Sequence, residues 1–279
     1  MRNRGPAFVK GHGTQNDFVI LPDVDGELEL TDERVRALCD RQRGLGADGV
    51  LRVIRTAALP DAPADVPAEA WFMDYRNADG SIAEMCGNGV RVFARYLVES
   101  GLAEPGELLV GTRAGVRPVR THDDGRVTVQ MGQVKFFGES STTVSGVRLA
   151  GVAIDVGNPH LACVSEVDVE ALDLTTAPLH DAALFPEGVN VEFVRPLGGD
   201  EVRMRVHERG VGETRSCGTG TVAATAAALR AAGQDTGRRV VHIPGGTVEV
   251  EITPTGSTLT GPAVLVAGGE LDADWWQHP

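Results

Sequence analysis

Two stretches, MCGNGVRVFARYLVESG (85–101) and SCGTGTVAATAAALRAAG (216–233), decide how this chain is read. Each places a Cys-Gly-x-Gly turn at the head of an apolar run and ends on a glycine suited to stop a helix. Each also follows a strand-like run and a polar turn, YRNADGSIAEM (75–85) in one case and VHERGVGETRS (206–216) in the other. The two cysteines, Cys86 and Cys217, stand 131 residues apart in a chain of 279, close to half its length. A repeat of that size predicts two similar halves, each with strands around a central helix, facing each other across a cleft. The halves are expected at 1–131 and 132–262, with the segment from about 263 to 279 returning to the first. Both helices are apolar on most faces and are therefore expected to be buried.

Outside these helices, short β-like runs dominate. They include FVKGHG (8–13), FVIL (18–21), GVLRVIR (49–55), ELLVGT (107–112), RVTVQM (126–131), VAIDVG (152–157), VNVEFV (189–194), EVRMRVHE (201–208) and TVEVEIT (247–253), punctuated by Gly, Pro, Asp and Asn. A third helix is expected over 32–41, with Thr31 as its cap and acidic residues in its first turn. Leu59–Pro67 (LPDAPADVP) reads as an exposed loop.

A formal charge of −13 argues against a broad nucleic-acid surface, which needs a clustered positive field. No apolar run is long enough to span a bilayer, and the first residues show no leader pattern, so a cytoplasmic protein is the expectation. The four cysteines, Cys39, Cys86, Cys163 and Cys217, form no CxxC pair. Neither a disulfide scaffold nor a structural metal site is expected from them. Cys39 and Cys163 lie in apolar helical and strand-like runs and read as core residues.

The paired cysteines carry the chemistry. A helix N-terminus presents unpaired N–H groups and about half a positive charge. A thiol there is expected to titrate below its usual value of about 8.5. The glycines let the backbone approach a ligand, so the same N–H groups can grip a carboxylate. Inverting a carbon centre requires removing a proton from one face and delivering one to the other. Two chemically alike groups suit this task, because they exchange roles when the reaction runs backwards. Helix ends on the substrate carboxylate would stabilise charge as a carbanion forms. A route through pyridoxal phosphate would need a lysine in a phosphate-binding context. Lys10 and Lys135 have none, so a cofactor-free mechanism is expected, with no metal.

The segments HGTQNDF (12–18), CDRQRGLGADG (39–49), YRNADGSIAEMCGNGVR (75–91), GNPH (157–160), GVNVEF (188–193) and HERGVGETRSCGTGT (207–221) resemble the diaminopimelate epimerase family over nearly the whole chain. The resemblance implies an α/β (α+β) fold of two pseudo-symmetric halves, each a curled, mostly antiparallel sheet or barrel around a central helix. It implies cofactor-independent interconversion of LL- and meso-2,6-diaminopimelate, on the route to lysine and peptidoglycan. It makes Cys86 and Cys217 the acid–base thiols, and gives the backbone N–H groups of Gly87, Asn88, Gly218 and Thr219 to the reacting carboxylate. Asn16, Asn77, Asn158, Asn190, Glu208 and Arg209 match substrate-contact positions, and His160 and Glu208 match groups that tune the thiols. A homodimer is implied as well.

The chemistry of those positions suits diaminopimelate, whose distant amino-acid centre needs a carboxylate clamp, an ammonium acceptor and neutral amides. Arg209 can clamp, Glu208 can supply the counter-charge, and asparagine both donates and accepts. Asn16 and Asn77 also lie in turn-forming contexts, and Glu208–Arg209 could be a solvated strand end. Two departures from the family stand out. Gly49 occupies a position where the family often has a substrate-contacting Gln, and Ala267 one where an aromatic supports dimerisation. Trp275 and Trp276 either compensate for Ala267 or pack down the tail.

The run Gly44–Gly49 satisfies GxGxxG, but a helix precedes it and a strand follows, the reverse of a dinucleotide site. The alternatives that remain are a proline racemase-like enzyme and a non-catalytic amino-acid-binding protein on the same scaffold.

Overall fold

A computed structural model describes residues 4–279. The chain divides into two compact units, Met1–Val129 with Pro262–Pro279, and Gln130–Gly261. The first contains, in chain order, β1 (Arg4–Gly13), β2 (Asn16–Pro22), α1 (Asp32–Cys39), β3 (Gly49–Arg55), β4 (Trp71–Asn77), α2 (Gly87–Glu99), β5 (Glu107–Thr112) and β6 (Gly115–Thr121). Strand β7 (Arg126–Gly132) then carries the chain into the second unit. That unit contains β8 (Lys135–Val144), β9 (Val147–Asp155), β10 (Pro159–Val164), β11 (Asn190–Gly198), β12 (Glu201–Glu208), β13 (Gly212–Thr214), α3 (Gly218–Ala231), β14 (Gly237–Ile243), β15 (Gly246–Thr253) and β16 (Gly256–Pro262). The chain ends in β17 (Val264–Asp272) and α4 (Ala273–Gln277).

The strand order shows the repeat directly. In the first unit it is β17-β1-β2-β3-β4-β5-β6-β7, with β2–β3 and β4–β5 parallel and the other pairs antiparallel. In the second it is β8-β9-β10-β11-β12-β14-β15-β16, with β10–β11 and β12–β14 parallel and the others antiparallel. The two sequences of pairings are the same, and β17 takes in one sheet the place β8 takes in the other. Parallel neighbours cannot be joined by a hairpin and need a crossover. The β4-to-β5 crossover is α2, and the β12-to-β14 crossover is α3. The Cys-Gly-x-Gly turns therefore open equivalent connections.

Each crossover helix is enclosed by its own sheet. Helix α2 packs on β1 to β6 and on β17, and α3 on β9 to β12, β14 and β15. Residues Gly87–Ala94 of α2, with Tyr96 and Leu97, are buried, as is the whole run Gly220–Leu229 of α3. A helix apolar all round is stable only when surrounded in this way. The alanines of α3 let the strands approach it closely.

Helix α1 starts where expected: Thr31 Oγ1 accepts from the Arg34 N–H at 3.3 Å. It packs with α4 on the outer face of the sheet, where Val35, Leu38, Leu271 and Trp276 share one core cluster and Trp275 flanks it. The Arg34 guanidinium lies 4.8 Å over the Trp276 ring, and its Nε donates to the Trp276 carbonyl at 3.2 Å. The two tryptophans thus pack the tail onto the first unit. The loop Leu59–Pro67 departs from expectation. Leu59 and Val66 are buried and join Ile54 and Phe72 in a core cluster, so the loop is pinned at both ends. Apolar residues spaced among Pro and Asp were the overlooked signal.

Candidate active site

Both cysteines cap their helices with the same geometry. Cys86 has φ −142° and ψ 118°, and its sulfur accepts the Gly89 N–H at 3.4 Å. Cys217 has φ −123° and ψ 115°, and its sulfur accepts the Gly220 N–H at 3.4 Å. The first N–H groups of a helix have no acceptor within it, so Gly87, Asn88, Gly218 and Thr219 stand where an anion would be gripped.

Around Cys86 the hairpin between β1 and β2 supplies a neighbour. Asn16 Oδ1 lies 3.6 Å from the Cys86 sulfur and accepts from Asn88 Nδ2 at 3.1 Å. Asn16 is held from its other end, where Nδ2 donates to Asp48 Oδ2 at 2.7 Å. Asn77 is engaged in its own turn, with Nδ2 donating to Ser81 Oγ at 3.0 Å. The structure thus joins Asn16, Cys86 and Asn88, and leaves Asn77 in a turn role. At Gly49 no side chain could be added without a backbone shift. A Cβ there would lie 2.5 Å from the Arg76 carbonyl oxygen and 2.7 Å from Tyr75 Cε2.

The second unit gathers more charge. His160 and Glu192 are both fully buried, and His160 Nδ1 lies 2.7 Å from Glu192 Oε1. The other ring nitrogen, Nε2, lies 2.9 Å from Asn158 Oδ1. A carbonyl oxygen can only accept, so Nε2 carries a proton. The short Nδ1–Oε1 contact then needs one more proton between His160 and Glu192. Burial pushes the Glu192 carboxyl up to about 6, against the lowering influence of His160. Glu192 also lies beneath the first turn of α3: a Cβ at Gly220 would meet its Oε1 at 2.9 Å and the Cys217 sulfur at 3.1 Å.

Glu208 accepts a hydrogen bond from Thr214 Oγ1. Asn190 Oδ1 accepts the Arg209 N–H at 2.9 Å, and Arg209 Nη1 donates to the Glu187 carbonyl at 3.0 Å. Asn190 therefore orients the backbone of the Glu208–Arg209 pair, while the Arg209 side chain is exposed at the surface of its unit.

One expectation is overturned here. Cys217 does not titrate low: burial, then Glu208 and Glu192, push its thiol well above the ordinary value. The Gly220 N–H and the Thr219 hydroxyl oppose this and are outweighed. Loss of solvation for a thiolate in a dry site exceeds what one helix end returns. Cys39 and Cys163 are pushed up to about 12 by burial, as inert core thiols should be.

Glu192, Asp48 and Arg91, which is buried in α2, were missed in the sequence. Their signal was a charged residue inside an apolar run or a glycine turn, which alone does not distinguish a buried group from a solvated one. No group of three or more His, Cys, Asp or Glu side chains placed to hold a metal occurs among the described residues.

The fold is shared with a PhzF-family phenazine biosynthesis protein from Bacillus anthracis, at a TM-score of 0.72 and 18% identity over 95% of this chain and 98% of that one. It is shared also with a hydroxyproline epimerase from Agrobacterium vitis, at 0.64 and 18% over 98% and 94%. Those likenesses define the class of fold, an α/β one. Sequence narrows it, for the chain belongs to the diaminopimelate epimerase family. The family model for diaminopimelate epimerase matches residues 8–137 and 152–266. The diaminopimelate epimerase of Rhodococcus erythropolis (strain PR4 / NBRC 100887) is 60% identical over 284 residues, 97% of each chain. That of Mycolicibacterium smegmatis is 58% identical over 284 residues, covering 96% of this chain and 98% of the relative.

Proposed function

We propose that this protein is an isomerase that interconverts LL- and meso-2,6-diaminopimelate, with Cys86 and Cys217 as its acid–base pair. The observation that carries this reading is the repeated cap: two cysteines on equivalent crossovers, each sulfur 3.4 Å from the N–H of the third residue of its helix. One thiolate takes the α-proton from one face of the carbon while the other thiol delivers a proton to the opposite face. The N–H groups of Gly87, Asn88, Gly218 and Thr219 hold the α-carboxylate, where charge builds as the C–H bond breaks. Glu208, Arg209 and the asparagines Asn16, Asn77, Asn158 and Asn190 are assigned to the substrate's charged and amide-binding ends. Arg209 must release the Glu187 carbonyl or use its remaining N–H groups to do so. His160 tunes this half of the site through Asn158 and Glu192, and Glu208 tunes Cys217 directly.

The thiols supply the proton transfers and the helix N–H groups the charge stabilisation, so the reaction is assigned no cofactor and no metal. The setting is proposed to be the cytoplasm, in lysine and peptidoglycan-precursor synthesis, with no nucleic-acid or membrane partner. No helix among the described residues is long and apolar enough to cross a membrane. A homodimer is proposed, with support from β17, where Val264 and Val266 are exposed apolar residues.

The test is proton NMR of LL-diaminopimelate with reduced protein in deuterated buffer. The expected result is loss of the α-proton signal together with appearance of the meso isomer. A folded, reduced protein that produces no exchange would sink the proposal and turn attention to other amino acids.

A further inference from the structure

We propose that Arg91, buried in α2 and unused by the acid–base chemistry above, is a positioning residue for Cys86: its guanidinium holds the strained turn that delivers Asn16 to the sulfur, and its charge is the buried counter-ion of the thiolate. The inference rests on the reading of Cys86 as an acid–base group.

The turn comes first. Gly13 and Asn16 pair across the β1–β2 hairpin, leaving Thr14 and Gln15 as a two-residue loop. Thr14 has φ 48° and Gln15 φ 65°. Such turns favour Asn-Gly, because each positive φ costs a side-chain-bearing residue energy that surrounding contacts must offset. Thr14 is buried, and Arg91 Nη2 donates to its hydroxyl at 3.0 Å. A Cβ at Gly13 would meet the same Nη2 at 2.9 Å, so the guanidinium is wedged directly under the hairpin. One residue past the loop, Asn16 touches Cys86 and Asn88.

The charge is the second observation. Arg91 is 0% exposed, its Nε donates to the Pro262 carbonyl at 3.4 Å, and its Nη1 has no hydrogen-bond partner among the described residues. Among the described residues it forms no ion pair with a carboxylate. Burial pushes it down to about 10, so it is charged at neutral pH, and Cys86 is the group of opposite sign that favours that charge. The other charged groups near this side are Lys10, Asp17, Arg41 and Asp48, reached through Asn16. They pair with one another and sum to zero. His12 Nδ1 accepts the Gln15 N–H at 3.3 Å in the same hairpin, and Glu84 is exposed two residues before Cys86. Cys217 faces Glu192 and Glu208 instead. A buried guanidinium thus stands beside the first thiol and two carboxylates beside the second.

Iodoacetamide alkylation of Cys86, followed by mass spectrometry across a range of pH, reads this without substrate. In Arg91→Gln the rate at pH 7 should fall several-fold, up to about ten-fold, while the high-pH plateau is kept, the signature of a thiol pKa raised by about one unit. Arg91→Lys should recover the rate to within about three-fold. Replacing the turn as well, with Thr14→Asn and Gln15→Gly, should restore thermal stability lost in Arg91→Gln but not the alkylation rate. Should Arg91→Gln alone not fold, that triple variant carries the same measurement. A wild-type pH profile without the guanidinium, or an equal change at every pH, overturns the proposal. A profile that depends on Arg91 in a protein that epimerises nothing would instead overturn the proposed function, and with it the catalytic meaning of the Arg91–Cys86 coupling, while the coupling itself is upheld.

Discussion

At Cys217, one N–H of α3 reaches the sulfur, while the residue is buried and Glu208 and Glu192 act on its charge. On the proposed two-cysteine reading, such surroundings suit a group that starts as the acid. Cys86→Ala and Cys217→Ala should each reduce epimerisation to background while circular dichroism stays unchanged. Full activity in either variant would exclude a two-base mechanism. Glu192 makes a separate expectation. Its folded carboxyl titrates near about 6 against an ordinary 4.5, so between those values the folded chain binds more protons than the unfolded one. Stability therefore falls as pH rises through that window, by about 2 kcal/mol in order of magnitude, and is level above it. Glu192→Gln keeps a donor toward His160 Nδ1 and should flatten this part of the profile in urea titrations. An unchanged slope would mean that the carboxyl ionises as freely in the fold as outside it.

At the scale of elements, the buried crossover helices hold both caps in place. Phe93 is fully enclosed in α2 by its sheet. Phe93→Ala should cost about 3–5 kcal/mol through lost burial and a residual cavity, read as a lower urea midpoint. Helix α3 has little room to spare. Gly220→Ala would force a Cβ to 2.9 Å from Glu192 Oε1 and 3.1 Å from the Cys217 sulfur. Its expected effect is a fall in kcat with little change in global stability, because the displaced atoms belong to the site. A variant with wild-type kcat would show that the sulfur and carboxylate shift without consequence.

At the scale of the whole molecule, β17 and α4 bring the end of the chain back to its beginning, and β17 completes the first sheet as β8 completes the second. A truncation before Val264 would remove a strand that pairs with β1 from Arg4 to His12. It would also remove Leu271 and Trp276 and uncover Val35 and Leu38, so the shortened chain should aggregate or unfold. The two-base reading makes a further demand, since both thiols must reach one carbon. Mild oxidation should then inactivate reversibly by joining Cys86 to Cys217, detected as a linked peptide pair and undone by reductant. Activity indifferent to oxidant would count against their approach.

Helices α1 to α3, their caps and most strands were legible in the sequence because local rules write them: apolar periodicity, glycine stops and a repeated Cys-Gly-x-Gly turn. The class of chemistry was legible for the same reason, since two like thiols at two helix heads constitute a local signal that occurs twice. What tertiary structure alone decided is the field around each thiol. Glu192 stands in a strand run and Arg91 in a helix run that read as ordinary local sequence. Nothing local says that one carboxylate will be buried under Cys217 while an arginine is buried under the Asn16 hairpin. Charge acts through space and its strength depends on what excludes water, so residues distant in sequence set it only once the sheets have curled around their helices.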